Sequence, residues 1–290
     1  MRSRASFEGV AVETAAAPAG ASRAPIGEMI RTWRRRRSLS QLELALEADV
    51  SSRHVSFLET GRSRPSRQMV LRLAEHLDVP LRERNRLLLA AGYAPLYAER
   101  SLDEPEMASV HQALDRFLRA HEPYPALILD RHYNLLSAND ALGTIIEGVA
   151  PELLEPPANT LRVALHPEGM APRILNLSEW SGHLMQRLRR HATMRGDADL
   201  ERLHAELATY PGVCLDVPQE HGSGSDILLP LRIRHGDREL SFFSTVSTFG
   251  TAIDITLDEL VIEAFYPANA STAAYLLEEI SLTRPAPESR

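Results

Sequence analysis

Apolar side chains recur at the spacing of an α-helix along the first third of the chain. One apolar stripe precedes residues 38–65 and another follows them, which predicts a bundle of short helices around one core. The stripe residues are Ile26, Met29, Ile30 and Trp33 before that stretch, and Met69, Val70, Leu73, Ala74 and Leu77 after it. A further amphipathic run from Pro80 to Ala91 predicts one more helix, which ends at Gly92.

The intervening stretch itself predicts two short helices joined by a tight turn. Ser40 stands three residues before Glu43, a capping-box arrangement that begins a helix extending to about Glu47. Ser51 is placed to cap the second helix, and Gly61 ends it. The residues expected to face the core are Leu42, Ala45 and Leu46 in the first helix and Val55 and Leu58 in the second. Such a helix-turn-helix places polar side chains of its second helix against DNA base edges.

The segment SQLELALEADVSSRHVSFLETGRSRPS resembles the Cro/repressor-type (Xre) helix-turn-helix family, and the resemblance covers about residues 24 to 93. The Ser-Gln opening, the LExGRxxPS close and their spacing carry this likeness. It implies that the second helix reads double-stranded DNA and that the following loop touches the backbone. The residues expected at the DNA interface are Gln41, Ser51, Ser52, Arg53, His54, Ser56, Arg62 and Arg64. The alternative is an ordinary helical hairpin whose polar face is only solvated.

Charge is divided unevenly along the chain, although the whole sequence carries a net charge of -7. Residues 23–93 contain 14 arginines against 8 acidic residues, whereas residues 94–290 contain 16 arginines against 29 acidic residues. A basic N-terminal module on an acidic body is expected when only one end of the chain meets DNA. The run from Arg34 to Arg37 fits phosphate contacts equally well as a solvated helix end.

The remaining two thirds of the chain mixes helix and strand patterns. A linker helix is expected from about Ala108 to His121, and its apolar side could pack on either domain or on a second copy. Strands are expected at Ala126 to Asp130, Tyr133 to Ala138, Ile227 to Arg234, Glu239 to Ser247 and about Leu260 to Tyr266. The last strand could instead be a helix capped by Thr256. Further helices are expected after Asn139-Asp140, after a cap at Ser178, around Leu200 to Leu207, and from about Ser271 to Ile280.

Several C-terminal segments resemble the MmyB-like ligand-binding domain of bacterial transcription regulators. They are PYPALILDRHYNLLSAND, LHPEGMAPRILNLSEW, LMQRLRRH and LSFFSTVSTFGT, and with PLRERNRLLLAAGYAP they extend the resemblance over about residues 24 to 280. The family implies a PAS-like sensor fold and a small apolar ligand of the fatty-acid type. The ligand-binding residues expected are Trp180, His183, Leu184, Arg187, Leu188, Phe243 and Phe265.

Two alternatives to this ligand site stay open at the level of the sequence. Large apolar residues at these spacings equally suit a plain core. Arg187, Arg189 and Arg190 form a basic run that suits either a solvated helix face or an anion partner for a ligand headgroup.

Enzymatic and metal-dependent functions find little support in the sequence. The loop HGSGSD at residues 221–226 contains no nucleophile elbow, no P-loop and no dinucleotide fingerprint. The eleven histidines form no HxxxH or HExxH pair, so we expect no catalytic residues, no metal site and no cofactor. The single cysteine, Cys214, suits a reducing compartment, and no run is long enough to span a membrane, so a cytoplasmic protein is expected.

Together these patterns predict two domains, an all-α helix-turn-helix bundle followed by an α+β PAS-like domain with an antiparallel sheet of about five strands. The expected divisions are a disordered tail at 1–22, the DNA-binding domain at 23–95, a linker helix at 96–122, the ligand-binding domain at 123–282 and a tail at 283–290. The resulting hypothesis is a homodimeric DNA-binding regulator that senses a small molecule. The alternatives are a ligand-independent dimeric repressor and, less favoured, an enzyme tethered to DNA.

Overall fold

The computed structural model of the chain describes residues 25–215 and 228–283. The predicted N-terminal tail, the polar loop at residues 221–226 and the chain beyond 283 lie outside these residues. Within them the chain forms a helical domain, a connecting segment with one helix, and an α+β domain. No helix in the described part of the chain combines the length and the apolar character needed to cross a membrane.

The helical domain consists of five short helices around one apolar core. Their bounds are α1 Ile26–Arg36, α2 Gln41–Glu47, α3 Ser52–Glu59, α4 Arg67–His76 and α5 Leu81–Ala90. The capping box at Ser40 and Glu43 and the Ser51 cap are present as predicted. Gly27 allows α1 to lie directly on α3, because a Cβ at that position would overlap the carbonyl oxygen of Leu58. The predicted helix-turn-helix is therefore confirmed.

One detail of the predicted α2 was wrong. Leu42 and Leu46 are 58% and 72% exposed, whereas Leu44 and Ala45 are buried. The stripe facing the core is thus rotated by about a third of a turn and continues into the buried Ala48. The physical reason is that α2 packs against α3 and α4 on one side only, and both possible stripes contain leucine.

The connecting segment leads through a 3₁₀ turn at Pro105–Met107 into α6, Ala108–His121, whose bounds agree with the prediction. Leu114 and Leu118 of α6 are buried against the sheet of the α+β domain. The described structure therefore packs α6 onto the domain that follows it.

The α+β domain contains a five-stranded antiparallel sheet in the order β2-β1-β5-β4-β3. The strand bounds are β1 Ala126–Leu129, β2 Leu135–Ala138, β3 Leu231–His235, β4 Arg238–Ser247 and β5 Val261–Pro267. The helix bounds are α7 Leu142–Ile146, α8 Thr160–Leu165, α9 Leu177–Arg195, α10 Ala198–Leu207, α11 Ile255–Glu259 and α12 Ala270–Thr283. These elements confirm the predicted α+β class and the sheet of five strands.

Several predicted boundaries in this domain differ from the structure. The strands predicted from Tyr133 and from Ile227 begin at Leu135 and Leu231. The cap of α9 is Asn176 rather than Ser178, and Asn176 instead uses its side chain to bind the backbone at Pro230 and Arg232. The last predicted strand is a strand, β5, and not the alternative helix capped by Thr256; a short helix α11 capped by Asp254 precedes it. The Asn176 side chain is engaged by residues more than 50 positions away, so local spacing does not decide where α9 begins.

The sheet separates two apolar layers because successive side chains of a strand point to opposite faces. Leu127, Phe242 and Phe265 belong to the larger core, which α9 and α10 cover. Ala126, Ile128 and their neighbours belong to a smaller core under α6. This division decides which side chains can share a site with α9.

Candidate functional site

The exposed side chains of α3 form the candidate nucleic-acid interface. The Ser51 hydroxyl accepts the amide of His54 at 3.1 Å, which begins the helix and holds that hydroxyl at the cap. Ser52 and Arg53 follow on the first turn and are exposed, while His54 and Ser56 are half-buried. The predicted residues Ser51 to Ser56 thus extend from the cap of α3 to the middle of the helix.

Phe57 organises two of the predicted arginines. The guanidinium of Arg53 lies 5.2 Å from the centre of the Phe57 ring, and that of Arg62 lies 5.9 Å from it. A guanidinium over an aromatic ring is attracted electrostatically and loses side-chain freedom before it meets a ligand. Arg64, on the same loop as Arg62, is exposed. The contact of Phe57 with both arginines was not predicted from the sequence.

Glu59 joins α1, α2 and α3 through a buried ion pair. Its carboxylate accepts from Arg34 Nε at 2.6 Å and Nη2 at 2.9 Å, and from Gln41 Nε2 at 2.8 Å. Burial alone would raise the pKa of Glu59, but the hydrogen bonds from Arg34 and Gln41 and the Arg34 charge lower it. Gln41 therefore has a structural partner in addition to the DNA contact expected of it.

The run Arg34 to Arg37 cannot act as four phosphate contacts in this arrangement. Arg34 is 8% exposed and paired with Glu59, so its charge is used inside the domain. Arg37 binds the carbonyl oxygens of Leu77 and Asp78 at 2.9 and 2.6 Å. Only Arg35 of the run is fully exposed. The phosphate interpretation of the whole run is therefore corrected, because adjacent helical positions face different sides of α1.

In the α+β domain, α9 lies over the inner face of the sheet. Leu184 and Leu188 are buried there in the same core as Phe265, and Trp180 packs against that core while partly exposed. These four predicted ligand residues are thus brought together around one apolar layer.

The other predicted ligand residues do not all reach this layer. Phe243 lies on the opposite face, where it stacks on Tyr266 at a centroid distance of 5.3 Å, and Tyr266 in turn contacts His121 of α6. The period of two along β4 places its neighbour Phe242 in the core instead. His183 is exposed on the outer side of α9, as are Arg189 and Arg190. Of the predicted polar partners, Arg187 alone approaches the core.

A polar cluster missed at the level of the sequence surrounds Arg187. Arg187 Nη1 lies 3.7 Å from the Glu263 carboxylate, which also accepts the Ser244 hydroxyl at 2.9 Å. Nearby, the hydroxyl of the buried Tyr133 lies 2.7 Å from Nδ1 of His191. Burial and the neighbouring arginines lower the pKa of His191 to about 4, so its ring is neutral at pH 7. These residues come from α9, β4, β5 and the loop between β1 and β2, and only their assembly shows the cluster.

A second group of polar residues joins the loop between β1 and β2 to the start of α10. Within the described residues, His132, Asp197 and Asp199 offer ligand atoms that all lie within 4.8 Å of one another, a spacing that could hold a metal ion. Asp197, however, caps α10 through the amides of Asp199 and Leu200 and lies 3.2 Å from His132 Nε2. Burial alone would raise the pKa of Asp197. The hydrogen bond with His132 and the charges of His132 and Arg131 outweigh burial, so the pKa lies below its ordinary value. Their mutual contacts give these side chains a structural role.

Two clefts lie where the helical and the α+β domains meet. The first, of about 220 Å³, is lined by charged residues of both domains, among them Arg82, Arg131, Asp199 and Glu259. The second, of about 270 Å³, lies beside it and shares Arg195 and Asp258. Both are polar, so neither offers the apolar walls expected for an acyl chain.

Comparison with known protein families gives two matches. Residues 110–278 match the family described as MmyB-like transcription regulator ligand binding domain, which covers more than half of the chain. Residues 30–84 match the family described as helix-turn-helix. A search of curated proteins found no match.

Proposed function

The chain belongs to the MmyB-like transcription regulators, and from this premise we propose that α3 reads operator DNA while the α+β domain senses a fatty-acid-like molecule. The two matched domains, a helix-turn-helix and a ligand-binding domain, make the chain a DNA-binding transcription regulator with a ligand-binding domain. The residues that read bases, the ligand, the homodimer and a cytoplasmic location are our proposals. The α+β domain is called the sensor domain below.

The exposed first turn of α3 is the observation that carries the DNA proposal. Ser52 and Arg53 stand free of the core at the N-terminal end of the helix, and such residues contact base edges in the major groove. Phe57 holds Arg53 and Arg62 on one side of the module. In this proposal Arg53 donates to a guanine, Ser52 and Ser56 add weaker contacts, and Arg62 and Arg64 bind phosphates.

Replacing Arg53 tests this division of roles. Arg53→Ala should weaken binding to the preferred duplex by about 1 to 3 kcal/mol and relax the preference at one base pair, because a bidentate base contact is lost. The measurement is a gel-shift titration against single-base variants of a duplex selected from a random library by the unaltered protein.

Arg64→Ala is the matched control for that experiment. As a phosphate contact, Arg64 should weaken binding to all duplexes alike and reduce its salt dependence, without changing base preference. An Arg53→Ala protein that keeps every base preference of the unaltered protein would remove Arg53 from base reading.

The sensor proposal is supported by the apolar layer under α9. Leu184, Leu188 and Phe265 could contact an acyl chain, which gains about 0.8 kcal/mol for each methylene removed from water. The Arg187 guanidinium lies 5.9 Å from the centre of the ring of Tyr133 in this core and could receive a carboxylate in exchange for Glu263. Such a ligand would act by favouring one arrangement of the sensor and thereby of two DNA-reading domains in a homodimer.

A ligand-independent dimeric regulator is the second candidate. It is favoured by the packing of the sensor core, where Met185, Leu188 and Phe242 are at most 1% exposed, while the two clefts described above lie between the domains. The response of thermal stability to acyl chain length separates the two candidates.

A further inference from the structure

The two domains of the chain meet through a group of three residues, here called the arginine clamp: Arg82, Glu99 and Glu259. Arg82 on α5 donates from Nε and Nη2 to the two carboxylate oxygens of Glu259 on α11, at 2.8 and 2.9 Å. Its Nη1 donates to Glu99 of the connecting segment at 2.8 Å. The Glu259 side chain is only 12% exposed and lies 3.5 Å from Arg131. A bidentate, partly desolvated contact of this kind is stronger than an exposed ion pair.

A second contact joins the last turn of α1 to the end of α9. Arg37 donates from Nη1 to the carbonyl oxygen of Met194 at 3.2 Å. The guanidinium of Arg36 lies directly against Gly196, where a Cβ would overlap it. Gly196 also has a φ of 63°, which disfavours any other residue at this C-cap. The sensor domain therefore engages two arginines from the basic run of the helical domain.

The connecting segment holds the same arrangement from a third side. The amide of Ile255 donates to the carbonyl oxygen of Ala98 at 2.8 Å, and Arg100 pairs with the buried Asp254 at 2.9 Å. Leu81 at the start of α5 donates its amide to Asp258 at 3.4 Å. The docked arrangement thus includes backbone and charged contacts from the helical domain, the connecting segment and the sensor.

Docking changes the electrostatic surroundings of the DNA-binding module. It places acidic residues of the sensor, Asp197, Asp199, Asp258 and Glu259, around the cleft next to α5. It also places the Arg36 guanidinium against Gly196 of the sensor, although exposed cations supply most of the sequence-independent affinity for DNA. The helical domain therefore presents less positive charge when docked than when released.

We propose that this docked arrangement is an autoinhibited state, in which the sensor domain lowers DNA affinity until the arginine clamp opens. The inference rests on the proposed DNA reading by α3 and adds how the same chain restrains it. Opening releases Arg36 from Gly196 and separates the acidic residues around the cleft from the helical domain. The arginine clamp controls the domain contact in this proposal, because Arg82 binds both the connecting segment, at Glu99, and the sensor, at Glu259.

Charge reversal at Glu259 tests the proposal in the full-length protein. Glu259→Arg sets a cation against Arg82 and Arg131, so small-angle scattering should show a larger radius of gyration. Affinity for the duplex selected by the unaltered protein should rise about fivefold or more, the range of a typical coupling. Glu259→Gln preserves the shape of the side chain and should shift both measurements less, in the same direction.

The matched control is Glu239→Arg. Glu239 pairs with Arg232 on the β3–β4 hairpin through two hydrogen bonds, so the substitution makes the same charge change away from the clamp. It measures how much the added positive charge alone raises DNA affinity. The predicted gain for Glu259→Arg is the excess over this control.

Two results would overturn this inference and leave the proposed DNA reading intact. The first is an opened Glu259→Arg protein whose DNA affinity is no higher than that of the control. The second is the absence of opening in both Glu259 variants. Absence of sequence-specific binding in all four proteins, including the unaltered one, would overturn the proposed DNA reading together with the inference. The scattering measurement and the DNA titration thus separate the two failures.

Discussion

Glu59 is the last residue of α3, and its side chain is 2% exposed while it accepts hydrogen bonds from α1 and α2. A buried carboxylate is costly unless its oxygens are paired, and here Arg34 and Gln41 pair them. The same three side chains fix the angle between α3, the helix proposed to read DNA, and the two helices beside it. In this proposal, stability and DNA reading are linked at Glu59.

Glu59→Gln should destabilise the helical domain by about 3 kcal/mol, because it leaves the buried Arg34 charge without a counter-charge. The lowered pKa of Glu59 means that its contribution is present above the ordinary carboxyl pKa and is lost as pH falls through the folded-state pKa. The stability difference between the two proteins should therefore shrink in acid. Urea unfolding at several pH values measures it.

Glu75→Gln is the control, since Glu75 is exposed on α4 and its loss should change stability by less than about 0.5 kcal/mol. A Glu59→Gln protein that is equally destabilised at every pH would show that the ionised carboxylate is not the source of the effect.

Single residues also show how far the sequence predicts the structure of the helical domain. The caps at Ser40 and Ser51 depend on local spacing, and the structure confirms both. The core stripe of α2 cannot be predicted from local spacing, because leucines lie at positions 42, 44 and 46. Packing against α3 selects Leu44. Likewise, the burial of Arg34 depends on Glu59, which stands 25 residues away.

At the scale of elements, α9 connects the apolar layer of the sensor with the helical domain. Its middle contributes Leu184 and Leu188 to the core, and its C-terminal end contacts Arg36 and Arg37 through Gly196 and Met194. Because continuous backbone hydrogen bonds make a helix a rigid element, a displacement in the middle of α9 moves its end as well. A ligand under α9 would therefore act on the domain contact.

Fatty acids should raise the melting temperature of lipid-free protein increasingly with chain length, until the space under α9 is filled. Leu184→Trp should blunt this increase, because the larger ring occupies the same layer. The measurement is thermal unfolding with a series of saturated fatty acids, each compared with the same variant without ligand.

Leu175→Trp is the matched control, because Leu175 is 39% exposed just before α9 and should leave the chain-length response unchanged. An equal response to all chain lengths in the unaltered protein would contradict the fatty-acid proposal and favour the ligand-independent regulator.

Element types in the sensor were largely predictable, whereas the faces of its strands were predicted less well. Alternation along β4 indicates two faces but not which of Phe242 and Phe243 meets α9, and the structure assigns Phe242 to that core. The polar cluster of Tyr133, His191 and Glu263 was not predictable either, since it forms only when the sheet pairs β1 with β5.

At the scale of the whole molecule, the contacts between domains lie beyond any local pattern. Arg82 and Glu259 are 177 residues apart, and each belongs to an ordinary charged helix surface in the sequence. The charge division between the two parts was predictable, but the direct contact of the acidic part with the basic run was not. This contact gives the sensor a physical route to the DNA-binding helices.

The central claim is that the sensor controls DNA affinity, and the most direct test is to titrate one selected duplex with lipid-free protein, with and without saturating fatty acid. The account predicts a change in Kd of about fivefold or more, because the ligand favours one domain arrangement over the other. Glu259→Arg, already opened, should respond less. An identical Kd in the two titrations, with fatty-acid binding verified in the same samples, would contradict the account.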